Sequence, residues 1–226
     1  MPSWLFRSQC AACAVPATSL CDPCARTLVE NGPACPRCAE PSPGELICRR
    51  CAITPLPLAR ILAPWQFGGQ LAVAIRRLKF AHRAHIARDL APLWSPLVAA
   101  AAAEPGALVV PVPLHWRRRF RRGYDHAWLL AVHACRSAEL AGPSAVLRRT
   151  RPAPPQSTLT AAERRANLEG AFAVRDPRAL AGRPVVLVDD VVTTGATLAA
   201  AARALLDAGA ATVIGVAIAR ATSVPG

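Results

Sequence analysis

An α/β fold, a parallel sheet flanked by helices and preceded by a small cysteine-rich module, is predicted by three features of the chain. Residues 185–188 are a short aliphatic run without alternation, as expected of a strand covered on both faces, 107–110 and 213–219 are further buried-strand candidates, and 61–67 reads as a strand. Between them lie stretches with helical spacing of apolar residues or runs of alanine. Eight of the nine cysteines fall within the first 51 residues. A chain of 226 residues suffices for one sizeable α/β domain and a small appendage.

The appendage comes first. Cys10/Cys13, Cys21/Cys24, Cys35/Cys38 and Cys48/Cys51 form four C-x2-C knuckles. One knuckle turns two thiolates onto a single ion, and two knuckles close a tetrahedral four-thiolate zinc site. Sequential pairing leaves seven residues between Cys13 and Cys21 and nine between Cys38 and Cys48, which predicts two separate sites. Interleaved pairing stays open at this level. With all four ligands supplied by protein, such zinc is structural and leaves no position for substrate. Pro55 and Pro57 mark the module's end, giving a zinc-binding unit over 1–57 and an α/β domain over 58–226.

Leu71, Ala74, Ile75 and Leu78 then recur at helical spacing, leaving Arg76, Arg77 and Lys79 on the opposite, solvated face. After the 107–110 strand comes HWRRRFRRGYDHA, in which five of the six residues 117–122 are arginine. Asp125 is placed to cap the helix that follows, and Cys135 within that helix reads as a small core residue. Residues 148–167 carry Arg148, Arg149, Arg151, three prolines, Gln156, Arg164, Arg165 and Asn167, a loop pattern ahead of Gly170-Ala171-Phe172.

The segment VVLVDDVVTTGAT, residues 185–197, is the most informative. Its strand ends at the carboxyl edge of the sheet, where ligands of open α/β folds bind, so Asp189 and Asp190 are expected to face a crevice. Two ionised carboxylates are poor core material. Thr193, Thr194, Gly195, Ala196 and Thr197 follow with hydroxyls, a glycine and the free N–H groups of a helix over about 196–208, together an anion site. Carboxylates for sugar hydroxyls beside an anion-binding turn suit a sugar phosphate.

This segment resembles the phosphoribosyl-pyrophosphate (PRPP) signature of type I phosphoribosyltransferases, and its surroundings are similar to the ComF family. The resemblance extends to Leu78-Lys79-Phe80, to Gln156, Arg164 or Arg165 and Asn167, and to Gly170-Ala171-Phe172. It implies a type I phosphoribosyltransferase-like sheet. It also implies PRPP held by Asp189, Asp190, Val191, Val192, Thr193, Thr194, Gly195, Ala196 and Thr197. Asp189 and Asp190 would be the catalytic carboxylates, Arg119, Arg122 and Tyr124 would lie near the pyrophosphate with Mg2+, and 148–167 would be a flap. Where the family reads approximately R-G-F-N-Q, this chain has Arg122-Gly123-Tyr124-Asp125-His126; histidine in place of glutamine is the larger departure.

Three functions are compatible with these features. One is a phosphoribosyltransferase for an acceptor the sequence does not reveal. Another, implied by the family resemblance, is a competence factor for DNA uptake and natural transformation that binds single-stranded DNA and docks a competence helicase on its zinc module. The third is a PRPP-sensing regulator. The formal charge of +13, with 27 Lys+Arg against 14 Asp+Glu and arginine at every cationic position except Lys79, favours polyanionic ligands. Two four-thiolate zinc centres, each near −2, would offset only part of it. No apolar run approaches the ~20 residues of a membrane span, and residues 1–10 lack a signal-peptide pattern. Both predict a cytoplasmic protein without membrane insertion.

Overall fold

The computed structural model describes residues 9–17, 19–151 and 170–222. Its centre is a parallel sheet of β1 (Arg60–Leu62), β2 (Trp65–Gln66), β3 (Leu108–Pro111), β6 (Pro184–Val192) and β7 (Thr212–Arg220). The order is β1, β7, β6, β3, with β2 continuing along β7 beyond β1. A separate antiparallel pair, β4 (Leu147–Arg149) and β5 (Phe172–Val174), flanks it. The expected strands therefore form, with one difference at residues 61–67: Ala63 and Pro64 interrupt that strand. Proline has no N–H to donate to a ladder, which confines it to an edge or a break.

Helices cover both faces. Helix α3 (Gly69–Phe80) buries Leu71, Ala72, Ala74, Ile75 and Leu78, packing into a core with α4 (Ile86–Leu90), α5 (Ser95–Ala101), α7 (His126–Ser137) and the face of the sheet carrying Val186, Val188, Val216 and Ile218. Cys135 lies in this core, where burial pushes its thiol up to about 11. On the other face α8 (Ala196–Asp207) packs Leu198, Ala201, Ala202 and Leu205 against Val185, Leu187, Val213 and Ala217. The short α6 (Trp116–Arg122) buries none of its residues. As expected, Asp125 caps α7, accepting from the N–H groups of Ala127 at 3.1 Å and Trp128 at 3.3 Å.

The cysteine module is two similar ribbons, with α1 (Asp22–Ala25) and α2 (Arg49–Ile53) at corresponding positions. In the first, Gln9 bridges Pro16, Ala14 has positive φ, and the Cys21 N–H donates to the Cys10 Sγ at 3.3 Å. The second repeats this with Ala34 and Pro41, Ala39, and the Cys48 N–H on the Cys35 Sγ at 3.4 Å. The two ribbons dock on different parts of the α/β unit. Arg77 of α3 donates to the Ala12 and Ala11 carbonyls at 2.7 and 3.3 Å, and the Ser19 hydroxyl donates to the Asp89 carbonyl at 2.8 Å. Residues between the ribbons pair with the interrupted edge strand: the Asn31 N–H donates to Pro64 O and the Gln66 N–H to Val29 O, both at 2.8 Å.

Arg220, at the end of β7, is fully buried. It donates to the Cys38 carbonyl at 3.2 Å and forms an ion pair with Glu40, so the second ribbon is clamped to the sheet through a charge. Burial lowers the pKa of its guanidinium, while the Cys38 and Cys35 sulfurs act in the opposite direction. Removing Arg220 takes a donor from the Cys38 carbonyl and the nearer cation from Glu40, which is 23% exposed and keeps Arg50 at 3.9 Å, a loss of about 1–3 kcal/mol. Arg220→Ala should therefore lower the urea midpoint of unfolding by that equivalent, whereas replacing exposed Arg26 should leave it unchanged.

Candidate functional site

The site begins with a displaced turn. Strand β6 does not end at Val188 but continues through Asp189 and Asp190 to Val192. The two carboxylates consequently occupy successive strand positions, yet an oxygen of each and a ring nitrogen of His126 lie within 4.8 Å of one another. Asp189 is half-buried and Asp190 is 3% exposed. Buried Asp190 requires a partner, and Lys79 of α3 supplies it in an ion pair through Oδ2. Buried His126 faces Oδ1, its Nε2 at 3.8 Å. Lys79 is thus no member of a solvated face. Nor is Arg77, which holds the first ribbon, while Arg76 lies over the Phe67 ring at 5.8 Å.

These neighbours separate the two acids electrostatically. Burial and the adjacent Asp190 charge push Asp189 well above the usual carboxylate range. Burial pushes Asp190 the same way, but Lys79 and His126 outweigh it and hold the carboxyl below that range.

The acidic pair forms one wall of a cleft of about 620 Å³ at the carboxyl edge of the sheet. Val191, Thr193 and Thr197 continue that wall, and Arg118, Arg121, Arg122 and Arg149 approach from the other side. Gly195 caps α8 at φ +77°, in the left-handed region that favours glycine, and a Cβ there would come within 3.2 Å of Leu56 and 3.3 Å of Ile61. That turn directs the first N–H groups of α8 outward, with the Thr194 hydroxyl accepting from the Ala196 N–H at 3.3 Å. Thr194 and Ala196 themselves line a larger groove, about 1050 Å³, on the far side of α8, whose lining is largely alanine and proline. Val192 points into the core.

Two expected contacts lie elsewhere. Arg119 is exposed and outside the cleft, because Arg118, Arg121 and Arg122 share one stripe of α6 and Arg119 falls a step round from it. Tyr124 is also outside the lining; its hydroxyl donates to the Leu78 carbonyl and so fastens the α6–α7 turn to the end of α3. Gln156, Arg164, Arg165 and Asn167 lie outside the described residues. Lys79, Arg118, Arg121, Arg149 and His126 line the cleft without having been assigned to it from sequence; their signals were the Leu78-Lys79-Phe80 element, the arginine density of 117–122, the 148–167 loop and the departure at His126.

The cysteines meet as two sequential clusters, Cys10/Cys13/Cys21/Cys24 and Cys35/Cys38/Cys48/Cys51, each with its sulfurs within 4.8 Å of one another. Two sulfur pairs, Cys13–Cys21 and Cys38–Cys48, stand at 3.6 Å. That is near the ~3.8 Å edge of a tetrahedron with Zn–S of about 2.3 Å, and far from a disulfide. Burial works against ionised Cys10 and Cys35, but backbone N–H donors prevail and bring each thiol down to about 6. The donor sets fit two structural zinc ions.

Residues 130–223 match the phosphoribosyl transferase domain family, and residues 2–52 match the double zinc ribbon domain family. The DNA utilization protein YhgH of Escherichia coli O157:H7 is 37% identical over 199 residues, covering 86% of this chain and 87% of its own length. Competence protein F of Haemophilus influenzae is 37% identical over 134 residues, 57% of this chain and 58% of its own. The chain belongs to the ComF family. Within that family Competence protein ComFC of Bacillus subtilis is more distant, 28% identical over 201 residues that span 86% of this chain and 80% of its own. Among the described residues of this ComF protein no helix is long and apolar enough to cross a membrane.

The Lys79–Asp190 pair has a testable signature in pH. Because Asp190 is depressed when folded, its contribution to stability is fully present above the unfolded value of roughly 4 and is lost as pH falls through the lower, folded one. In Lys79→Ala the largest charge opposing burial at Asp190 is gone, so its carboxyl rises and the variant gains relative stability on acidification. The deficit against wild type should be about 3 kcal/mol at pH 7 and should shrink toward pH 4 in urea unfolding curves; a pH-independent deficit would contradict the pair.

Proposed function

We propose that this ComF protein binds PRPP in the cleft at the carboxyl edge of its sheet. The observation carrying this reading is the convergence, on about 620 Å³, of the Asp189/Asp190 wall, Thr193 and Thr197 at the start of α8, and the stripe of Arg118, Arg121 and Arg122. In this reading the helix start and its threonines take the 5-phosphate, the carboxylates take the ribose hydroxyls, and the arginines face the pyrophosphate. Asp189, half-buried and outside the Lys79–Asp190 ion pair, offers the hard oxygen that would hold Mg2+ together with substrate oxygens and water. When bound, Mg2+ neutralises charge developing on the departing pyrophosphate. The chain's own part is to orient the sugar and stabilise charge, which is sufficient for pyrophosphate loss through an oxocarbenium-like state without a protein nucleophile. Transfer to an acceptor is the enzymatic extension of this reading, and PRPP sensing without turnover is the other outcome of a pyrophosphate-release assay with an acceptor panel.

In calorimetry with PRPP and Mg2+, the Asp189→Ala, Asp190→Ala double variant should bind at least tenfold more weakly than wild type. Unchanged affinity would remove the acidic pair from the site.

A second reading, single-stranded DNA binding in the cytoplasm, is supported by the outer face of α6. Trp116 and Phe120, one turn apart, are 64% and 89% exposed, and the Arg117 guanidinium lies over the Trp116 ring at 5.2 Å. Exposed rings among arginines suit stacked bases and phosphates, and relatives carry the names DNA utilization protein and competence protein. A helicase partner would then dock on the zinc ribbons. Stacking contributes about 1–3 kcal/mol per base, so Trp116→Ala with Phe120→Ala should weaken oligonucleotide binding at least fivefold in fluorescence anisotropy; an unchanged affinity would exclude this face.

A further inference from the structure

One buried titratable side chain in the cleft has no role in the reading above. His126, 5% exposed, opens α7 and stands between charged groups from two different elements. Its Nδ1 lies 2.7 Å from Arg122 Nη1. A guanidinium only donates, so Nδ1 is the acceptor and carries no proton. The ring proton therefore sits on Nε2, which points its positive end at Asp190 Oδ1 across 3.8 Å, an electrostatic contact longer than a hydrogen bond. Asp190 is held on its other oxygen by Lys79. Arg122 also stacks over the exposed Phe80 ring at 5.2 Å, and its helix buries none of its residues.

Building on the PRPP reading, we propose that His126 is a positioning residue: as its Nε2–H tautomer it joins Arg122 to Asp190, holding the phosphate-facing arm of α6 and the carboxylate wall of β6 as one unit. An extended arginine loses much rotamer freedom on binding an anion, and a guanidinium already fixed in place loses less. The bridge requires an acceptor at one end and a donor at the other. An imidazolium fails this requirement, since it would direct a proton at the guanidinium. A glutamine amide meets it, accepting through Oε1 and donating through Nε2, whereas leucine fills similar space and does neither.

The test uses the zinc-loaded full chain in calorimetry with PRPP and Mg2+. His126→Gln should bind within about threefold of wild type and His126→Leu at least tenfold more weakly. Equal affinity for His126→Leu and wild type, or equal weakening by both substitutions, would overturn the proposal. A failure of wild type to bind PRPP would remove the functional reading instead. The bridge is then decided by histidine 15N NMR of the unliganded chain at neutral pH. One ring, missing from the His126→Gln spectrum, should carry its proton on Nε2 alone; an Nδ1–H tautomer or a doubly protonated ring would refute the bridge.

Discussion

The ion pair between Lys79 and Asp190 is the constraint on which the arrangement of the site depends. A carboxylate buried at the end of a central strand is tolerable only if an opposite charge reaches it. Lys79 is the penultimate residue of α3, so meeting Asp190 fixes both the tilt of that helix and the depth at which it ends. Leu71, Ile75 and Leu78 then seat on the sheet, and the carbonyl left at the helix end becomes the acceptor for Tyr124. One buried negative charge thereby positions α3, the α6–α7 turn and the arginine stripe on a single side of the cleft.

The opposite edge of the sheet meets a different requirement. Strands β1 and β2 are short and separated by Pro64, an edge that would leave backbone groups unpaired. The cysteine module covers it: the 29–31 segment pairs across the break, and the Ile61 N–H donates to Arg37 O at 3.1 Å. Arg220 completes the junction, drawing the second ribbon onto the last residue of β7. Leu56, just beyond that ribbon, touches the site of Gly195 in the phosphate-type turn. The zinc ribbons are therefore part of the wall that shapes the α/β domain, more than a detachable appendage.

What could be read from the sequence was local. The uninterrupted Val185–Val188 run, the C-x2-C spacing and the Thr/Gly turn each specify their structure within a few residues, and all three formed as expected. The functions of Arg77, Lys79 and Arg220 depend on partners far along the chain. On a helical projection Arg77 and Lys79 fall on the polar side of α3, yet that side faces a ribbon and a buried acid. The choice between Arg119 and Arg118 with Arg121 was likewise settled by where α6 starts, fixed by the His115 cap, and arginine density alone carries no such phase. The continuation of β6 past Val188 was hidden because a buried carboxylate needs partners, and those of Asp190, Lys79 and His126, lie far along the chain.

That continuation gives the two aspartates different properties. Had the chain turned at Val188, both carboxylates would have projected into solvent with similar acidity. Kept in the strand, they differ in burial and partner: Asp190, the more buried, stays ionised by virtue of Lys79, and half-buried Asp189 shares the cleft with that charge. The repulsion raises Asp189, so its ionised form becomes more favourable once a cation or a line of hydroxyl donors arrives. An acid held in this state responds to the charge of whatever stands beside it, because a neighbouring cation or hydrogen-bond donor offsets the repulsion from Asp190. The motif's second aspartate then acts through the first, and its constancy of charge is what makes the first responsive.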